Sequence, residues 1–126
     1  MNVEKVTGKR ILLVDDQNEV RDTIAMVLEL DAHTVIPASS GAEALRLFDA
    51  DHFDLVITDY AMPGMRGDEM AMAIRQKAPS QPILMITGSA NLADPVRLYV
   101  DGILYKPFML EDLRRAMAEH LCAQAA

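Results

Sequence analysis

Three acidic side chains and one lysine could act together on a phosphate group, and each stands at the end of a short apolar run: Asp15, Asp16, Asp59 and Lys106. Carboxylates within a few Å of one another raise each other's pKa unless a cation compensates their charge. A hard divalent cation such as Mg²⁺ binds carboxylate oxygens and keeps an open coordination position for a phosphate oxygen. Phosphoryl transfer needs mainly positioning and charge neutralisation, which a metal and a lysine supply. These residue types therefore predict a metal-assisted phosphoryl acceptor.

Each residue of this set can be given a chemical role. Asp59 is the predicted nucleophile, because carboxylates form covalent aspartyl-phosphate intermediates. The predicted Mg²⁺ ligands are oxygen atoms of Asp15, Asp16 and Asp59 and the backbone carbonyl of Ala61. Asp16 is expected to bind the ion directly, and Asp15 to orient it or to act through water. Thr87 is expected to hydrogen-bond the phosphoryl oxygens and Lys106 to neutralise their charge.

The elements that must position these residues follow from the apolar pattern. Short apolar runs alternate with longer helical patterns, which is typical of βαβ units and a parallel sheet. The predicted strands are 11–14, 34–36, 55–57, 83–86 and 103–105. Helical spacing marks core positions between and after them at Val20, Ile24, Val27, Leu28, Leu45, Phe48, Met70, Ala73, Ile74, Leu110, Leu113, Met117 and Leu121. Ser40 begins a capping-box pattern that predicts the start of a helix. A loop is predicted around Pro63, Gly64 and Gly67. A short helix is predicted from about Asp94, because Pro95 is tolerated only in the first turn of a helix.

In an open parallel sheet, ligands gather beyond the carboxyl ends of the strands. Five side chains are predicted to converge at that edge: Asp15, Asp16, Asp59, Thr87 and Lys106. Asp54 and Asp101 precede their strands, so they are expected at the opposite edge. Ala61 and Ser89 are expected at the rim of the site.

Composition limits the possible classes of protein. The chain has 126 residues, of which 51% are hydrophobic and 25% charged, so a single domain spanning residues 1–126 is expected. A net charge of −7 argues against direct binding to nucleic acid, which needs clustered basic residues. No signal pattern and no apolar run of about 18 residues is present, so a cytoplasmic location without membrane contact is expected. Cys122 is the only cysteine of the sequence, so the chain cannot form an internal disulfide bond.

Four motifs of this chain resemble the receiver domain of two-component response regulators. They are Leu12-Leu13-Val14-Asp15-Asp16, Thr58-Asp59-Tyr60-Ala61-Met62-Pro63-Gly64-Met65, Ile86-Thr87-Gly88 and Tyr105-Lys106-Pro107-Phe108. The motifs occur in the order of the family and cover nearly the whole chain. The sequence of residues 59–65 resembles that of terminal receiver modules of hybrid histidine kinases more than that of DNA-binding regulators.

The resemblance implies a doubly wound, flavodoxin-like (βα)5 fold with a five-stranded parallel sheet. It also implies Mg²⁺-dependent transfer of a phosphoryl group to Asp59 from the phosphohistidine of a histidine kinase or phosphotransfer protein. Slow autodephosphorylation and a conformational switch are implied as well. A downstream effector or a covalently linked domain would then read the switch, and no activity on other substrates is expected.

Three positions depart from the pattern of the family. Ile103 stands where members usually carry the aromatic residue of a threonine-coupled switch, and Tyr105 is expected to point to the other face of its strand. Arg66 replaces an acidic residue of the loop and could lower the repulsion within the acidic site. The stretch 87–106 is shorter than usual by roughly one helical turn and contains Pro95.

Other interpretations of the same residues stay open. Asp16 alone could be a helix N-cap, and Thr87 alone a β-branched strand residue. A phosphatase of the haloacid dehalogenase type would place a second Asp two residues after the nucleophile, where this chain has Ala61. A flavin-binding domain would carry a phosphate loop rich in Ser, Thr and Gly after the first strand, where Asp15 and Asp16 would repel the phosphate.

Overall fold

The computed structural model of the chain describes residues 6–88 and 94–121, with backbone only at 94 and 95, so Ser89 and Cys122 lie outside the described residues. The described strands are β1 (Arg10–Val14), β2 (Thr34–Ala38), β3 (Leu55–Asp59), β4 (Ile83–Thr87) and β5 (Gly102–Tyr105). The described helices are α1 (Asn18–Leu30), α2 (Gly41–Ala50), α3 (Gly67–Lys77), α4 (Asp94–Arg97) and α5 (Leu110–Leu121). Strands and helices alternate throughout, as predicted.

The strands form one parallel sheet in the order β2-β1-β3-β4-β5. The order reverses after β1, because β2 lies on one side of it and β3 on the other. Val14 pairs with Thr58, and Asp59 pairs with Ile86, so β1, β3 and β4 end at nearly the same level. The predicted doubly wound five-stranded sheet is confirmed, and β1, β3 and β4 end at its carboxyl edge, where the site is predicted.

Each face of the sheet is covered by a separate hydrophobic core. Alternate strand residues point to opposite faces, so Ile11 and Leu13 pack with α1 and α5, whereas Leu12 and Val14 pack with α2 and α3. All five residues of β3 are buried, which confirms the prediction of a strand covered on both faces. The ends of β1 and β3 are therefore fixed from both sides.

The helix starts refine the predicted elements. Ser40 is the N-cap of α2, and its hydroxyl accepts a hydrogen bond from the Glu43 backbone N–H at 3.1 Å, as the capping pattern predicts. The Glu43 carboxylate in turn accepts a hydrogen bond from the backbone N–H of Ser39. Gln17 is the N-cap of α1, so the N-cap interpretation of Asp16 is wrong. Gly67 is the first residue of α3 and does not belong to the preceding loop.

The segment between β4 and β5 contains the shortest helix. α4 begins at Asp94 and ends at Arg97, which puts Pro95 in the first turn as predicted. Val96 is buried against Met85, and Tyr60 and Ile103 pack against the same cluster. None of the helices in the described part of the chain is long and apolar enough to cross a membrane.

Candidate functional site

Three carboxylates from two strand ends meet at the carboxyl edge of the sheet. One oxygen atom each of Asp15, Asp16 and Asp59 can be chosen so that all lie within 4.8 Å of one another. Asp15 and Asp59 are buried, whereas Asp16 is partly exposed. The sheet brings these groups together because β1 and β3 are paired neighbours, so residues that follow them share one edge.

Lys106 supplies the cation that was predicted to face these acids. Its Nζ lies 3.3 Å from Oδ1 of Asp59, although the two residues are 47 positions apart in the chain. The backbone N–H of Lys106 donates to the carbonyl oxygen of Thr87 at 2.8 Å, which fixes the lysine at the end of β4. The lysine side chain keeps 30% of its surface exposed, so it reaches the site from the solvent side.

The ionisation of Asp59 reflects two opposing effects. Burial raises the pKa of the Asp59 carboxyl, because the charged form loses solvation. Lys106 acts against this shift by stabilising the carboxylate, and the nearby Asp15 adds to it by repulsion. The pKa of Asp59 is raised overall, so a bound cation would relieve an energetic cost that the folded chain already carries.

The turn that carries Asp15 and Asp16 is held by several hydrogen bonds. The backbone N–H of Asp15 donates to the Ala38 carbonyl at 3.1 Å, and Oδ1 of Asp15 accepts from the backbone N–H of Gln17 at 2.9 Å. Arg21 donates from its guanidinium to the backbone carbonyl of Asp15 at 2.8 Å. Arg21 was not among the predicted site residues, and its only signal was an arginine placed six residues after Asp15.

Thr87 and Ala61 complete the predicted set. Thr87 is buried at the end of β4, opposite Tyr105 in the sheet register and one residue beyond the partner of Asp59. Ala61 lies in the loop after β3, two residues past Asp59, and its side chain is exposed. The predicted phosphate-binding role of Thr87 and the carbonyl-ligand role of Ala61 remain predictions.

Gly67 is a second residue whose importance the sequence did not reveal. Its backbone N–H donates to the carbonyl oxygen of Tyr60 at 2.9 Å, which holds the start of α3 against the end of β3. A Cβ atom at this position would lie 2.2 Å from the carbonyl oxygen of Asp59. Only a residue without a side chain allows α3 to begin this close to the site.

Tyr105 and Ile103 lie on the same side of β5, which corrects the prediction that Tyr105 points away from the switch position. Ile103 packs with Met85 and Val96, and the hydroxyl of Tyr105 accepts a hydrogen bond from Arg97 of α4 at 2.9 Å. The physical reason is strand geometry, because residues two positions apart share a face. Tyr105 therefore connects the last strand to α4.

The suggestion that Arg66 lowers repulsion within the acidic site is wrong. Its guanidinium lies 3.0 Å from Asp68 and 3.9 Å from Glu69, both at the start of α3. These acids raise the pKa of Arg66, with the Asp68 hydrogen bond as the largest cause. Arg66 is thus engaged by its own helix terminus, where acidic residues also complement the helix dipole.

The two acids excluded by the sheet-edge argument lie where they were predicted. Asp54 accepts from the backbone N–H of Arg10 at 2.8 Å, at the start of β1. Asp101 accepts from the backbone N–H of Ile83 at 2.7 Å, at the start of β4. Both contacts lie at the amino ends of strands, so these carboxylates stabilise the edge opposite the acidic cluster.

Comparison with known proteins agrees with this architecture. The sequence matches the response regulator receiver domain over residues 11–118. The transcriptional regulatory protein TcrA of Mycobacterium tuberculosis is 31% identical over 86% of this chain and 44% of its own length. The sensor histidine kinase AruS of Pseudomonas aeruginosa is 35% identical over 90% of this chain and 12% of its own. The chain thus spans less than half the length of these two curated relatives.

A solved structure supports the same conclusion. The response regulator TrrA of Thermotoga maritima, determined in complex with Mg²⁺ and BeF, is 32% identical and has a TM-score of 0.85. The similarity covers 90% of this chain and 99% of that one. Aspartate phosphorylation and Mg²⁺ binding are general properties of such domains. The fold, the acidic edge and these matches together show that the chain belongs to the response regulator receiver domain family of two-component signalling.

Proposed function

We propose that Asp59 is the phosphoryl-accepting residue of this receiver domain. The observation that carries the proposal is the position of its carboxylate, within 4.8 Å of oxygens of Asp15 and Asp16 and 3.3 Å from the ammonium of Lys106. A nucleophilic carboxylate needs a neighbouring positive charge to offset the charge of the incoming phosphate. Among the described aspartates, Asp59 is the one with both an acidic metal-type cluster and a lysine around it.

The donor set of this cluster fits Mg²⁺. Mg²⁺ prefers oxygen ligands, binds through one or two carboxylates and keeps several waters. Asp15, Asp16 and Asp59 supply such oxygens, and the backbone carbonyl of Ala61 is the fourth proposed ligand. When bound, the ion neutralises carboxylate charge and polarises a phosphoryl oxygen. The raised pKa of Asp59 supports this assignment, because a cation would keep that carboxyl ionised and nucleophilic.

The proposed transfer uses the side chains at the strand ends. A carboxylate oxygen of Asp59 attacks the phosphorus of a phosphohistidine, a P–O bond forms, and the P–N bond breaks with its electron pair returning to the imidazole nitrogen. Lys106 neutralises charge on the transferred group, and the Thr87 hydroxyl donates to one of its oxygens. Water later attacks the phosphorus, which releases inorganic phosphate and restores the Asp59 carboxylate. No step requires activity toward another substrate.

The phosphohistidine is proposed to come from a histidine kinase or a phosphotransfer protein. The product is proposed to act on a downstream effector or on a covalently linked domain. Relatives of both kinds support this, since AruS is a sensor histidine kinase and TcrA a transcriptional regulator. Phosphorylation adds about −1.5 to −2 charges beside Lys106, and a charge change of this size can bias a conformational equilibrium that a partner reads. We further propose that residues 1–126 form one receiver domain, since the described helices pack on one sheet.

Acetyl phosphate with Mg²⁺ tests the acceptor assignment without requiring the natural donor. Intact-protein mass spectrometry should detect one phosphoryl adduct on the wild-type chain and none on Asp59→Asn. Asp54→Asn is the matched control, because Asp54 lies at the opposite sheet edge and should leave labelling intact. Full labelling of Asp59→Asn would refute the assignment. Chelation of Mg²⁺ should reduce the wild-type adduct strongly.

A further inference from the structure

We propose that Arg21 is a positioning residue that sets the geometry of the Asp15–Asp16 turn and thereby the affinity of this chain for Mg²⁺. This inference rests on the proposed metal site. Arg21 lies in the first half of α1, and its side chain turns back toward the strand end. It belongs neither to the predicted metal ligands nor to the predicted phosphate-binding residues.

Two hydrogen bonds define the position of the Arg21 guanidinium. Nη1 donates to the backbone carbonyl of Asp15 at 2.8 Å, and Nη2 donates to Oδ1 of Asn18 at 2.7 Å. Nε is buried and has no hydrogen-bond partner within the described residues. The rigid, planar guanidinium therefore bridges Asp15, the first residue of this turn, and Asn18, the first residue of α1.

The Asp15 carbonyl is the group through which Arg21 acts on the metal site. That carbonyl belongs to the planar peptide unit between Asp15 and Asp16, so its direction fixes where the backbone of Asp16 begins. The other polar groups of Asp15 are held separately, its N–H by Ala38 and its Oδ1 by Gln17. Arg21 thus restrains the carbonyl of this peptide, and the partly exposed Asp16 follows directly after it.

Loss of this restraint is expected to weaken ion binding more than folding. Residues that orient metal ligands typically change metal affinity by about 10- to 100-fold when they are mutated. Arg21 is only partly buried, so water can reach the Asp15 carbonyl once the guanidinium is removed and can donate a hydrogen bond in its place. The chain should therefore fold without the guanidinium but hold Asp16 less firmly.

Isothermal titration with Mg²⁺ tests the inference. Arg21→Met keeps the apolar stem and removes the donors, and its Kd should rise roughly tenfold. Arg21→Lys keeps the charge but has a single donor nitrogen that cannot bridge both acceptors, so its Kd should lie between those of wild type and Arg21→Met. Arg115→Met is the matched control, since it removes an exposed arginine on α5, and its Kd should equal that of wild type.

The outcomes separate this inference from the proposed function. Absence of Mg²⁺ binding by the wild-type chain would refute the metal site itself. Normal wild-type binding with an unchanged Kd in folded Arg21→Met would overturn the role of Arg21 alone. A lowered melting temperature with unchanged Kd would overturn it as well, because that result describes a purely structural contact.

A second variant keeps the inference testable if Arg21→Met does not fold. Asn18→Ala removes the second acceptor of the guanidinium from an exposed position, and its Kd should rise above that of the wild-type chain. The side-chain NMR signals of Arg21 in the wild-type chain should also shift on addition of Mg²⁺. Unchanged affinity in Asn18→Ala together with unshifted Arg21 signals would overturn the inference.

Discussion

Replacement of Gly67 by alanine should disturb the acidic site through the backbone of β3. The added Cβ would lie 2.2 Å from the carbonyl oxygen of Asp59 and 3.1 Å from the Cα atom of Tyr60. Real Cβ atoms essentially never approach a neighbour closer than 3.0 Å, so part of the structure must shift. The atoms in the way belong to the main chain and cannot rotate aside as a flexible side chain would.

The expected shift is a displacement of the start of α3. The end of β3 is the firmer partner, because Asp59 pairs with Ile86 and the Tyr60 N–H donates to the Ile86 carbonyl at 3.1 Å. Overpacking of this kind costs about 1–3 kcal/mol of folding free energy. Alanine gains at most about 1 kcal/mol over glycine in helix propensity, and less at the first helical residue. The clash should therefore exceed the gain.

Two measurements on Gly67→Ala check this expectation. Urea unfolding should give a lower free energy of unfolding than wild type, and Mg²⁺ titration should give a weaker affinity, because the loop carrying Ala61 joins Asp59 to α3. Gly88→Ala is the matched control, since a Cβ there lies within 4 Å of no atom of the described residues and φ lies outside the left-handed region. Its stability should stay within about 0.5 kcal/mol of wild type.

Wild-type stability and Mg²⁺ affinity in Gly67→Ala would refute this reasoning. Such a result would mean that α3 moves freely relative to β3, so the close approach at Gly67 would not define the site. A loss of stability without any loss of affinity would refute the second step only. In that case the start of α3 would contribute to folding but not to the position of the proposed metal ligands.

Further predictions concern charge, metal and α4. Because burial raises the folded-state pKa of Asp59 above its unfolded value, ionisation destabilises the metal-free fold at neutral pH. Asp59→Asn should therefore be more stable than wild type at pH 7 without Mg²⁺. This gain in stability should fade as the pH drops toward the unfolded pKa of about 3.9. Equal stability of the two proteins at pH 7 would contradict this prediction. Mg²⁺ at about 100 times its Kd should stabilise the wild-type chain by about 2.7 kcal/mol. The same concentration should stabilise Asp16→Asn much less. Equal shifts in the melting temperature of the two proteins would exclude Asp16 as a ligand. Tyr105→Phe removes the bond to Arg97 and should speed amide hydrogen exchange in α4 with little change in global stability; unchanged exchange would show that this bond does not hold the helix.

The local pattern of the sequence was sufficient for the elements and for the edge of the sheet. Apolar runs of a few residues between helical patterns identify the strands, since burial on both faces requires continuous apolar segments. The acids at 15, 16 and 59 could then be assigned to one edge, because parallel strands end on the same side. The position of Asp54 and Asp101 at the opposite edge follows from the same rule.

Two predictions about side chains were wrong, and in both cases a local feature of the chain decides the outcome. Arg66 was expected near the acidic site, but the acids of its own helix start are closer partners. Tyr105 was assigned to the wrong face, although strand alternation alone places it beside Ile103. Its bond to Arg97 could not be predicted, because the position of α4 depends on how the segment between β4 and β5 packs.

The sequence by itself determined which residues are candidates for the chemistry and at which edge of the sheet they lie. Residue type, hydrophobic periodicity and strand direction are properties of the chain that can be read without coordinates. Only the tertiary structure decided the contacts between elements: the 3.3 Å between Lys106 and Asp59, the bond from Arg21 to the Asp15 carbonyl, and the approach of Gly67 to Asp59. Those distances depend on strand register and on how closely each helix packs, and many residues set both together.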